Sequence, residues 1–354
     1  MRSIVVSWRR LTGGRSVRDA ERPTLVACSG GPDSSALVLA LASRAKATRI
    51  VVGHVVHDLR DRHEAHADRD AARRLADSLG LAFAERHIHV RAMKGNAEAN
   101  ARRARYKALA EMAHEHTSLF IATAHHADDQ METILMRLLR GAGATGLAGL
   151  HERRPVASQR TKASDQKVIQ GVTLIRPMLG IARARAEALC TAHGVAWAID
   201  RTNADTSRLR AALRHRVLPI LREIGDEKGG KSPAFLEHLA ASSTALRAAG
   251  ALLDERCAEV VARGMSDRES IRWPRAELRT HPSGVLSGAI RMAAMDLLEG
   301  RRASRVSART LNKAAALIQD DERQPRRMRF AGVELHVTAR DVVLTPAVVS
   351  PPLP

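Results

Sequence analysis

The chain has few aromatic residues, few cysteines and no long apolar run. Phe, Trp and Tyr make up 2% of its 354 residues, so a core must be built from Leu, Val, Ile and Ala. The three cysteines, Cys28, Cys190 and Cys257, are far apart, which excludes a CxxC metal or redox motif and argues against a disulfide framework. No apolar stretch is long enough to cross a bilayer. We therefore expect a cytoplasmic protein without a membrane partner.

Positive charge is present in excess. Lys and Arg number 57 and Asp and Glu 38, a net charge of +19. Such an excess favours a polyanionic partner, because each neutralised phosphate releases counterions. The alternative explanation for part of this positive charge is an arginine-rich, alanine-rich proteome. Residues 1–22 are basic and lack the features of a secretory signal, so we interpret them as an N-terminal extension, an arm or loosely ordered segment.

Strand-like and helix-like segments alternate through the first half of the chain. The apolar runs lie at residues 24–28, 50–56, 81–86, 119–122 and 173–175. Between or after them, helices are predicted over residues 35–46, 63–79, 96–114, 128–140 and 183–193, with Asn96 as an N-cap and Gly194 as a stop. Near-continuous apolar strands separated by helices predict a doubly wound, mostly parallel α/β sheet.

We place a domain boundary in the charged, glycine-containing segment 225–233. Residues 23–224 would form a catalytic domain and residues 234–354 a smaller accessory domain that contacts RNA. The accessory domain is predicted to be helical to about Gln319 and to end in two strands, 328–337 and 342–344. Two further predictions concern the first domain: an exposed loop over 158–170, and a helix over 209–223 that Pro219 breaks or kinks near its end.

A glycine-containing turn connects the first strand to the first helix. It consists of Ser29, Gly30, Gly31, Pro32, Asp33 and Ser34. Glycines let the backbone approach an anion closely, and free N–H groups at a helix start favour phosphate. A carboxylate at Asp33 makes chemical sense if it holds Mg²⁺ that bridges phosphate oxygens. The alternative is a simple strand–turn–helix connection with Ser34 as a cap.

A second polar cluster follows the fourth strand. Asp128, Asp129 and Glu132 share a polar side of the predicted helix. Beside a phosphate site, such carboxylates can hold Mg²⁺ or accept hydrogen bonds from a base. His125 and His126 lie at the strand end, where they could contact ATP or substrate. The alternative is an acidic first helical turn that the helix dipole already favours.

These motifs resemble those of a known family. The run SGGPDS resembles the signature of the PP-loop ATP pyrophosphatases, whose fold is called adenine nucleotide alpha hydrolase-like. Residues 123–150 and 96–109 resemble the tRNA(Ile)-lysidine synthetase family nearly from end to end. Shorter matches are HVVHDLR at 54–60, IRPML at 175–179, D-x-x-N-x-D from Asp200 to Asp205 and R-H-x-V-L-P at 214–219. The resemblance spans about Leu25 to Glu223.

The chain departs from that family's pattern at three positions. Val56 stands where the family usually has a polar residue, Asp58 where it has glycine, and Ala211 where Asn is common. The first two positions bear on nucleotide recognition beside the second strand. None of the three lies in the turn from Ser29 to Ser34, which we name the phosphate loop, or in the predicted helix at 128–140, which we name the acidic helix.

The resemblance implies an enzyme that uses ATP, Mg²⁺, free L-lysine and the isoleucine tRNA with a CAU anticodon. ATP would adenylate the wobble cytidine, and lysine would then displace AMP at C2. Implied catalytic residues are Asp33, Asp129 and Glu132, with Asp33 and Asp129 positioning Mg²⁺ and Glu132 orienting the cytidine or accepting a proton. Implied ATP contacts are Ser29 to Ser34 and His54; implied tRNA or substrate contacts are His125, His126, Asp128, Arg105, Tyr106 and Arg140. The resemblance is also compatible with a homodimer.

Three other functions share parts of the pattern. A PP-loop tRNA thiolase typically carries paired cysteines, which are not evident in this sequence. An amidotransferase-type synthetase would need a glutamine-hydrolysing domain or partner, and no N-terminal Cys nucleophile is visible. A non-catalytic RNA-binding relative would have no need for the intact SGGPDS and DDQMET runs.

Overall fold

In a computed structural model, the protein forms two compact units. The model describes residues 1–45, 48–59, 61–142, 144–156, 171–197, 209–226, 234–267, 269–298 and 306–347. The first unit comprises Met1–Thr133 and Leu150–Ala240, and the second comprises Ile134–Gly149 and Ala241–Pro354. The predicted loop at 158–170, the motif from Asp200 to Asp205 and most of the predicted linker at 225–233 lie outside the described residues. The domain bounds given above stay predictions.

A six-stranded sheet forms the centre of the first unit. Its strands are β1 (Thr24–Ala27), β2 (Ile50–His57), β3 (Ala82–Ile88), β4 (Phe120–Ala122), β5 (Arg153–Pro155) and β6 (Thr173–Ile175). The spatial order is β3-β2-β1-β4-β6-β5. All neighbours pair in parallel except β5, which runs antiparallel to β6. The predicted mostly parallel sheet is confirmed; the short edge strand β5 was not predicted, because Arg153, Arg154 and Pro155 lack an apolar pattern.

Helices cover both faces of this sheet. The helices of this unit are α1 (Arg2–Thr12), α2 (Pro32–Arg44), α3 (Arg62–Ser78), α4 (Ala97–Glu115), α5 (Ala127–Leu139, which ends in the second unit), α7 (Arg183–Ala192), α8 (Leu209–Ala212) and α9 (Leu218–Asp226); α6 (Ala144–Leu147) belongs to the second unit. Helices α1, α2, α3 and α7 bury their apolar sides in one core, and α4 packs on the opposite face. The predicted cap of α4 is confirmed, since the Asn96 side chain accepts a hydrogen bond from the Ala99 N–H at 2.9 Å.

The interpretation of residues 1–22 as an arm or loosely ordered segment is wrong. Ile4, Val5, Trp8 and Leu11 recur at helical spacing and are all buried, so α1 is an amphipathic helix that belongs to the core. The indole N–H of Trp8 donates a hydrogen bond to Thr24 Oγ1 at 3.2 Å, which ties α1 to the start of β1. Among the basic residues of α1, Arg9 is bound by Asp19 at 2.6 Å.

The strand order brings two loops together. Going from β1 the chain moves outward to β2 and β3, then returns across the sheet to β4 on the other side of β1. The loops that follow β1 and β4 therefore leave the same edge of the sheet in opposite directions. Such a topological switch point is where open α/β sheets bind ligands. It places the turn after β1 beside the start of α5.

The helical region near the end of the first unit continues through Pro219. A five-residue π-helical segment, Leu213–Val217, joins α8 to α9. Pro219 is the second residue of α9, two positions after the end of that segment. The wider π turn changes the hydrogen-bond register just before the proline, so the missing N–H does not end the helix.

The second unit has its own helical core and its own sheet. Its helices include α10 (Ala234–Ala262, which begins in the first unit), α11 (Arg275–Leu278), α12 (Ser283–Leu297) and α13 (Ala308–Gln319). Its strands are β7 (Met265–Ser266), β8 (Ile271–Pro274), β9 (Arg326–Phe330), β10 (Val333–Val337) and β11 (Asp341–Pro346). They form an antiparallel sheet in the order β7-β8-β11-β10-β9.

Two details of this sheet differ from the prediction. The run 328–337 is a hairpin and not one strand, because Ala331 and Gly332 both have positive φ (48° and 91°) and turn the chain. Strand β8 was missed because it is short and follows a long helix. Within the part of the chain that is described, no helix combines the length and apolar character that crossing a bilayer requires.

Candidate active site: the phosphate loop and the acidic helix

The turn after β1 is held in shape by its own serines. Gly31 is the N-cap of α2, and Pro32 occupies the first turn, where its missing N–H costs nothing. Ser34 Oγ accepts a hydrogen bond from the Ser29 N–H at 3.1 Å and donates to the Gly31 carbonyl at 3.0 Å. The Ser29 hydroxyl lies 3.2 Å from that of Ser34. These bonds bend the backbone into a compact loop at the start of a helix, a geometry suited to an anion.

Gly30 is required at its position by conformation and by space. Its φ is +84°, which L side chains rarely adopt. A Cβ atom placed on Gly30 would lie 2.6 Å from the backbone carbonyl oxygen of Asp68 in α3. The loop therefore rests directly on α3, and a glycine keeps the contact free of a clash.

Asp33 is the one carboxylate of the loop, and it lies near α5. One of its oxygens, Oδ2, lies 3.5 Å from Nε2 of His126. The other, Oδ1, is buried, and no hydrogen-bond partner for it is found among the described residues. A buried carboxylate oxygen without a partner is costly unless a ligand satisfies it. This oxygen therefore suits a bound cation or a cation-bridged phosphate.

His126 connects the loop to the acidic helix. Its Nε2 atom also lies 3.5 Å from Oδ2 of Asp129, and its Nδ1 atom lies 3.4 Å from Oδ2 of Asp128. The ring is 3% exposed, so all these contacts are shielded from solvent. His125 diverges from His126, and its Nδ1 atom lies 2.9 Å from the Thr123 hydroxyl. The two neighbouring rings therefore have different partners.

Two arginines bind the carboxylates of α5. Glu132 has no exposed surface; its Oε2 atom lies 2.6 Å from Nε of Arg210 and its Oε1 atom 2.6 Å from Nε of Arg214. Asp129 Oδ1 lies 2.6 Å from the same Arg210 guanidinium. Both oxygens of Glu132 are thus engaged, which leaves no free position for a proton from substrate in this arrangement. Its role as a proton acceptor stays a prediction.

Asp128 is a structural anchor as well as a candidate contact residue. Its Oδ2 atom accepts a hydrogen bond at 2.9 Å from the N–H of Arg183, at the start of α7, and its Oδ1 atom pairs with Arg222 of α9. With 3% exposure, the side chain is occupied from two sides. A substrate contact by Asp128 stays a prediction.

The ionisation of the site is set by burial and by neighbouring charge. Burial alone would raise the pKa of Asp129, but its interactions with the His126 ring, the Arg210 guanidinium and the His126 N–H lower it below its ordinary value. Asp129 is therefore charged at neutral pH. Burial, helped by Arg176 and Arg102 and opposed by Asp129, lowers the pKa of His125 to about 3, so this imidazole is neutral.

His54 contacts the backbone just before the phosphate loop. It is 4% exposed, and its Nδ1 atom lies 2.8 Å from the carbonyl oxygen of Cys28 at the end of β1. Burial lowers its pKa, so the ring is neutral. A direct ATP contact by His54 stays a prediction.

Two departures from the family pattern have structural roles. Asp58 accepts a hydrogen bond from the Val90 N–H at 2.8 Å, and this bond lowers the pKa of Asp58. A carboxylate in place of glycine therefore anchors the chain just after β3. Val56 is buried at 8% exposure in β2, which suits its apolar side chain.

Two of the cysteines lie against the loop. Cys28 Sγ is 3.7 Å from the Ser34 hydroxyl, and Cys190 Sγ is 3.3 Å from the Pro32 carbonyl. Burial raises the pKa of Cys28, and burial together with the Asp33 charge raises that of Cys190 to about 11. Both are therefore protonated thiols at neutral pH in the protein without ligands.

The other sequence-predicted residues are more dispersed. Arg105 is exposed on α4, and Tyr106 beside it is half-buried. Arg140 is exposed and belongs to the second unit. No group of three or more His, Cys, Asp or Glu within the described residues is arranged to hold a metal ion by itself. Mg²⁺ is usually held by one or two carboxylates together with substrate phosphates, and such a site does not need a group of this kind.

The sequence argument missed the cations that organise the site. Arg210, Arg214 and Arg222 bind carboxylates of α5 from about eighty or ninety positions further along the chain. Arg214 lies inside the R-H-x-V-L-P segment, which is the one signal that could have drawn attention to this region. Sequence spacing alone does not pair residues that distant, so the ion pairs became visible only in the fold.

Comparisons with known proteins identify relatives of this chain. A family model described as a PP-loop domain matches residues 9–221. A tRNA(Ile)-lysidine synthase of Salinispora tropica is 36% identical over 274 residues, which cover 76% of this chain and 73% of that protein. One of Ralstonia nicotianae is 39% identical over 239 residues, covering 66% of this chain and 46% of that protein. A solved U34-tRNA thiolase from Methanococcus maripaludis has 15% identity and a TM-score of 0.50 over 70% of this chain and 79% of its own, a likeness of fold alone.

The fold, the loop and the acidic helix define a PP-loop protein. Within that class, the chain belongs to the tRNA(Ile)-lysidine synthase family. The chain spans about half the length of several relatives, among them 46% of the Ralstonia nicotianae protein and 48% of that of Chromobacterium violaceum. The activity, substrates and partners of this chain are therefore proposed below.

Proposed function

We propose that this protein ligates L-lysine to C2 of the wobble cytidine of a CAU-anticodon isoleucine tRNA at the expense of ATP. The observation that carries the proposal is the contact of one buried imidazole, His126, with both Asp33 of the phosphate loop and Asp129 of α5. It means that a nucleotide on the loop would have acidic side chains within reach. Family membership selects lysidine formation among the reactions that such a loop serves.

The chemistry follows from the need for a leaving group. The O2 atom of cytidine is a poor leaving group, so it first attacks the α-phosphate of ATP and pyrophosphate departs. The ε-amine of lysine then attacks C2 and AMP departs, with loss of a proton from the amine. Each step forms one bond and breaks one bond. The charge that develops on the phosphates is best stabilised by dipoles and cations that are already in place.

The residues of the loop would bind and orient ATP. The backbone of Ser29 to Ser34 and the start of α2 favour the phosphates, and Asp33 with Asp129 would hold Mg²⁺. When bound, Mg²⁺ neutralises phosphate charge and fixes the direction of attack. The buried Oδ1 atom of Asp33 fits this role because the protein itself gives it no partner among the described residues. Arg210 and Arg214 hold Asp129 and Glu132 in place, and Glu132 is proposed to orient the substrate base through that network.

The acceptor is proposed to be reached in a single-stranded loop. A base in a duplex is inaccessible to such a site, whereas an anticodon loop can present its wobble base unstacked. The net charge of +19 favours this partner. A homodimer and a cytoplasmic location remain part of the proposal and are testable by sedimentation and by cell fractionation.

The decisive experiment combines the purified chain with ATP, labelled lysine and tRNA transcripts. Label should enter the CAU isoleucine tRNA, with equal amounts of AMP and pyrophosphate released, and should not enter a matched transcript whose wobble cytidine is replaced by uridine. A tRNA that acquires sulfur from a sulfur donor, and no lysine, would show that the protein is a thiolase. Binding of tRNA without any ATP cleavage would show a non-catalytic RNA-binding protein.

A further inference from the structure

Three arginines surround the only tyrosine of the chain. The guanidinium of Arg102 lies 5.6 Å and that of Arg154 4.8 Å from the centre of the Tyr106 ring. Burial would raise the pKa of the Tyr106 hydroxyl, but Arg102, Arg176 and Arg154 lower it. We name Arg102, Arg154 and Arg176 the arginine cluster, and we propose that it binds a backbone phosphate of the RNA substrate.

Separate elements of the first unit build the cluster. Arg102 and Tyr106 lie one turn apart on α4, Arg154 lies in the edge strand β5, and Arg176 directly follows β6. Arg176 is 2% exposed, Arg154 and Tyr106 are half-buried, and Arg102 is exposed. The cluster is thus buried at one end and open to solvent at the other, as expected of a pocket for a group that arrives from outside.

The described residues do not neutralise the charge of the cluster. Among the described residues, no Asp or Glu forms an ion pair with any of the three arginines. The Nε atoms of Arg154 and Arg176 are buried, and neither has a hydrogen-bond partner in the described parts of the chain. Arg176 donates to the His151 carbonyl, but burial and the charges of Arg154 and Arg102 still lower its pKa despite the opposing effect of Tyr106. Adjacent buried cations repel one another, and an anion bound between them offsets that repulsion.

Other buried arginines of the same protein are satisfied. Arg22, 3% exposed, pairs with Asp19 and donates to the Arg15 carbonyl. Arg275, also 3% exposed, donates to backbone carbonyls that include those of Ile318, Glu322 and Thr338. In both cases the fold provides acceptors for the buried guanidinium group. The contrast indicates that the acceptor of the arginine cluster is a ligand.

The position of the cluster favours RNA over the phosphates of ATP. Besides burial, Arg176 and Arg102 lower the pKa of His125, so the cluster lies near His125, whereas Asp33 of the phosphate loop lies against His126. The loop itself provides the site for ATP. Planar guanidinium groups around an aromatic ring are also a common RNA-binding arrangement, because they bind phosphate through paired N–H groups and offer a surface on which a base can stack.

The test uses two neighbouring arginines of β5. Arg154 belongs to the cluster, whereas Arg153 precedes it on the opposite face of the strand and is exposed, so R153Q is a charge-matched control for R154Q. R154Q should weaken tRNA binding about three- to tenfold. It should also reduce the salt dependence of tRNA affinity by the amount expected for about one phosphate contact. R153Q should change tRNA affinity less than about twofold, and both variants should bind ATP like the parent. R102Q provides a second, exposed test with the same expectation as R154Q.

This inference rests on the proposed function, and the parent protein separates the two. If the parent attaches lysine to tRNA while R154Q and R102Q bind tRNA as R153Q does, the phosphate site is refuted and the function stands. A loss of ATP affinity with unchanged tRNA affinity would refute it as well. If the parent binds tRNA with the predicted loss in R154Q but attaches no lysine, the site stands and the proposed reaction fails.

Discussion

The Nε2 atom of His126 lies 3.5 Å from Oδ2 of Asp33 and equally far from Oδ2 of Asp129. One buried ring therefore sets the spacing between a carboxylate of the phosphate loop and a carboxylate of the acidic helix. Because the ring is 3% exposed, protein packing rather than solvent maintains that spacing. The predictions below address the groups on either side of it.

Replacing Asp33 by Asn should stop catalysis without disturbing RNA binding. The substitution keeps the shape and removes the charge that would hold Mg²⁺ against the phosphates, so tRNA adenylation should fall at least about a hundredfold. Affinity for tRNA should change less than about twofold, since Asp33 makes no proposed contact with RNA. D77N removes an equal charge at an exposed position of α3 and should retain full activity. Undiminished turnover by D33N would refute the assigned role.

Replacing Glu132 by Gln should destabilise the first unit. Glu132 is fully buried between Arg210 and Arg214, which are themselves partly exposed, so we expect a loss of about 2–3 kcal/mol in the free energy of unfolding. Urea unfolding followed by circular dichroism measures it. E187Q breaks an exposed pair with Arg183 and should cost less than about 0.5 kcal/mol. Equal effects of the two substitutions would show that the buried network does not stabilise the fold.

Replacing Gly30 by Ala should impair the loop through steric conflict. The new Cβ atom would meet the Asp68 carbonyl at 2.6 Å in addition to the strain of a positive φ, so the loop must move and ATP affinity should fall at least about tenfold. G80A has a similar φ of +64° but open space around it. It should cost about 1 kcal/mol in stability and leave ATP binding intact. Calorimetric titration with ATP distinguishes steric conflict from conformational strain. If G30A binds ATP as tightly as G80A does, the steric explanation is contradicted.

The neutral state of His125 should make stability depend on pH. Burial lowers its pKa from the ordinary 6.5 to about 3, so between these values the unfolded chain binds a proton that the folded chain does not. Stability attributable to this group is thus present above about pH 6.5 and is lost as the pH falls. From pH 7.5 to pH 5 the loss should be about 2 kcal/mol.

The substitution H125N should remove that part of the pH dependence. Asp129 does not interfere with this measurement. Its pKa is lowered in the folded chain, so its contribution to stability is lost only as the pH falls below 3.8, the ordinary pKa of an aspartate. H114N replaces an exposed histidine of α4 and should retain the pH dependence of the parent. The free energy of unfolding at the two pH values provides the measurement. An identical dependence in H125N and the parent would show that His125 is not held neutral.

Much of the first unit could be predicted because local patterns and tertiary structure agree there. The apolar runs at 24–28 and 50–56 became β1 and β2, and Asn96 caps α4 as its side chain suggested. Prediction failed where the pattern was short or polar. Strand β5 is formed by Arg153 to Pro155, and its pairing with β6 depends on the fold rather than on β propensity.

Helix α1 shows that a local pattern can be present in the sequence and still be misinterpreted. Its apolar residues Ile4, Val5, Trp8 and Leu11 have a helical period, yet the basic residues between them suggested an arm. Burial of Trp8 against the sheet decides the matter, because the core of an aromatic-poor chain gains much from one large side chain.

The sequence by itself determined the class of fold, the position of the phosphate loop and the identity of its carboxylate, since these depend on residues close together in the chain. Tertiary structure alone decided which groups meet at the site. The return of the chain from β3 to β4 brings His126 to Asp33, and the distant helices α8 and α9 bring Arg210 and Arg222 to α5. Local propensity acts over a few residues, whereas ion pairs between remote segments form only after the whole sheet is assembled.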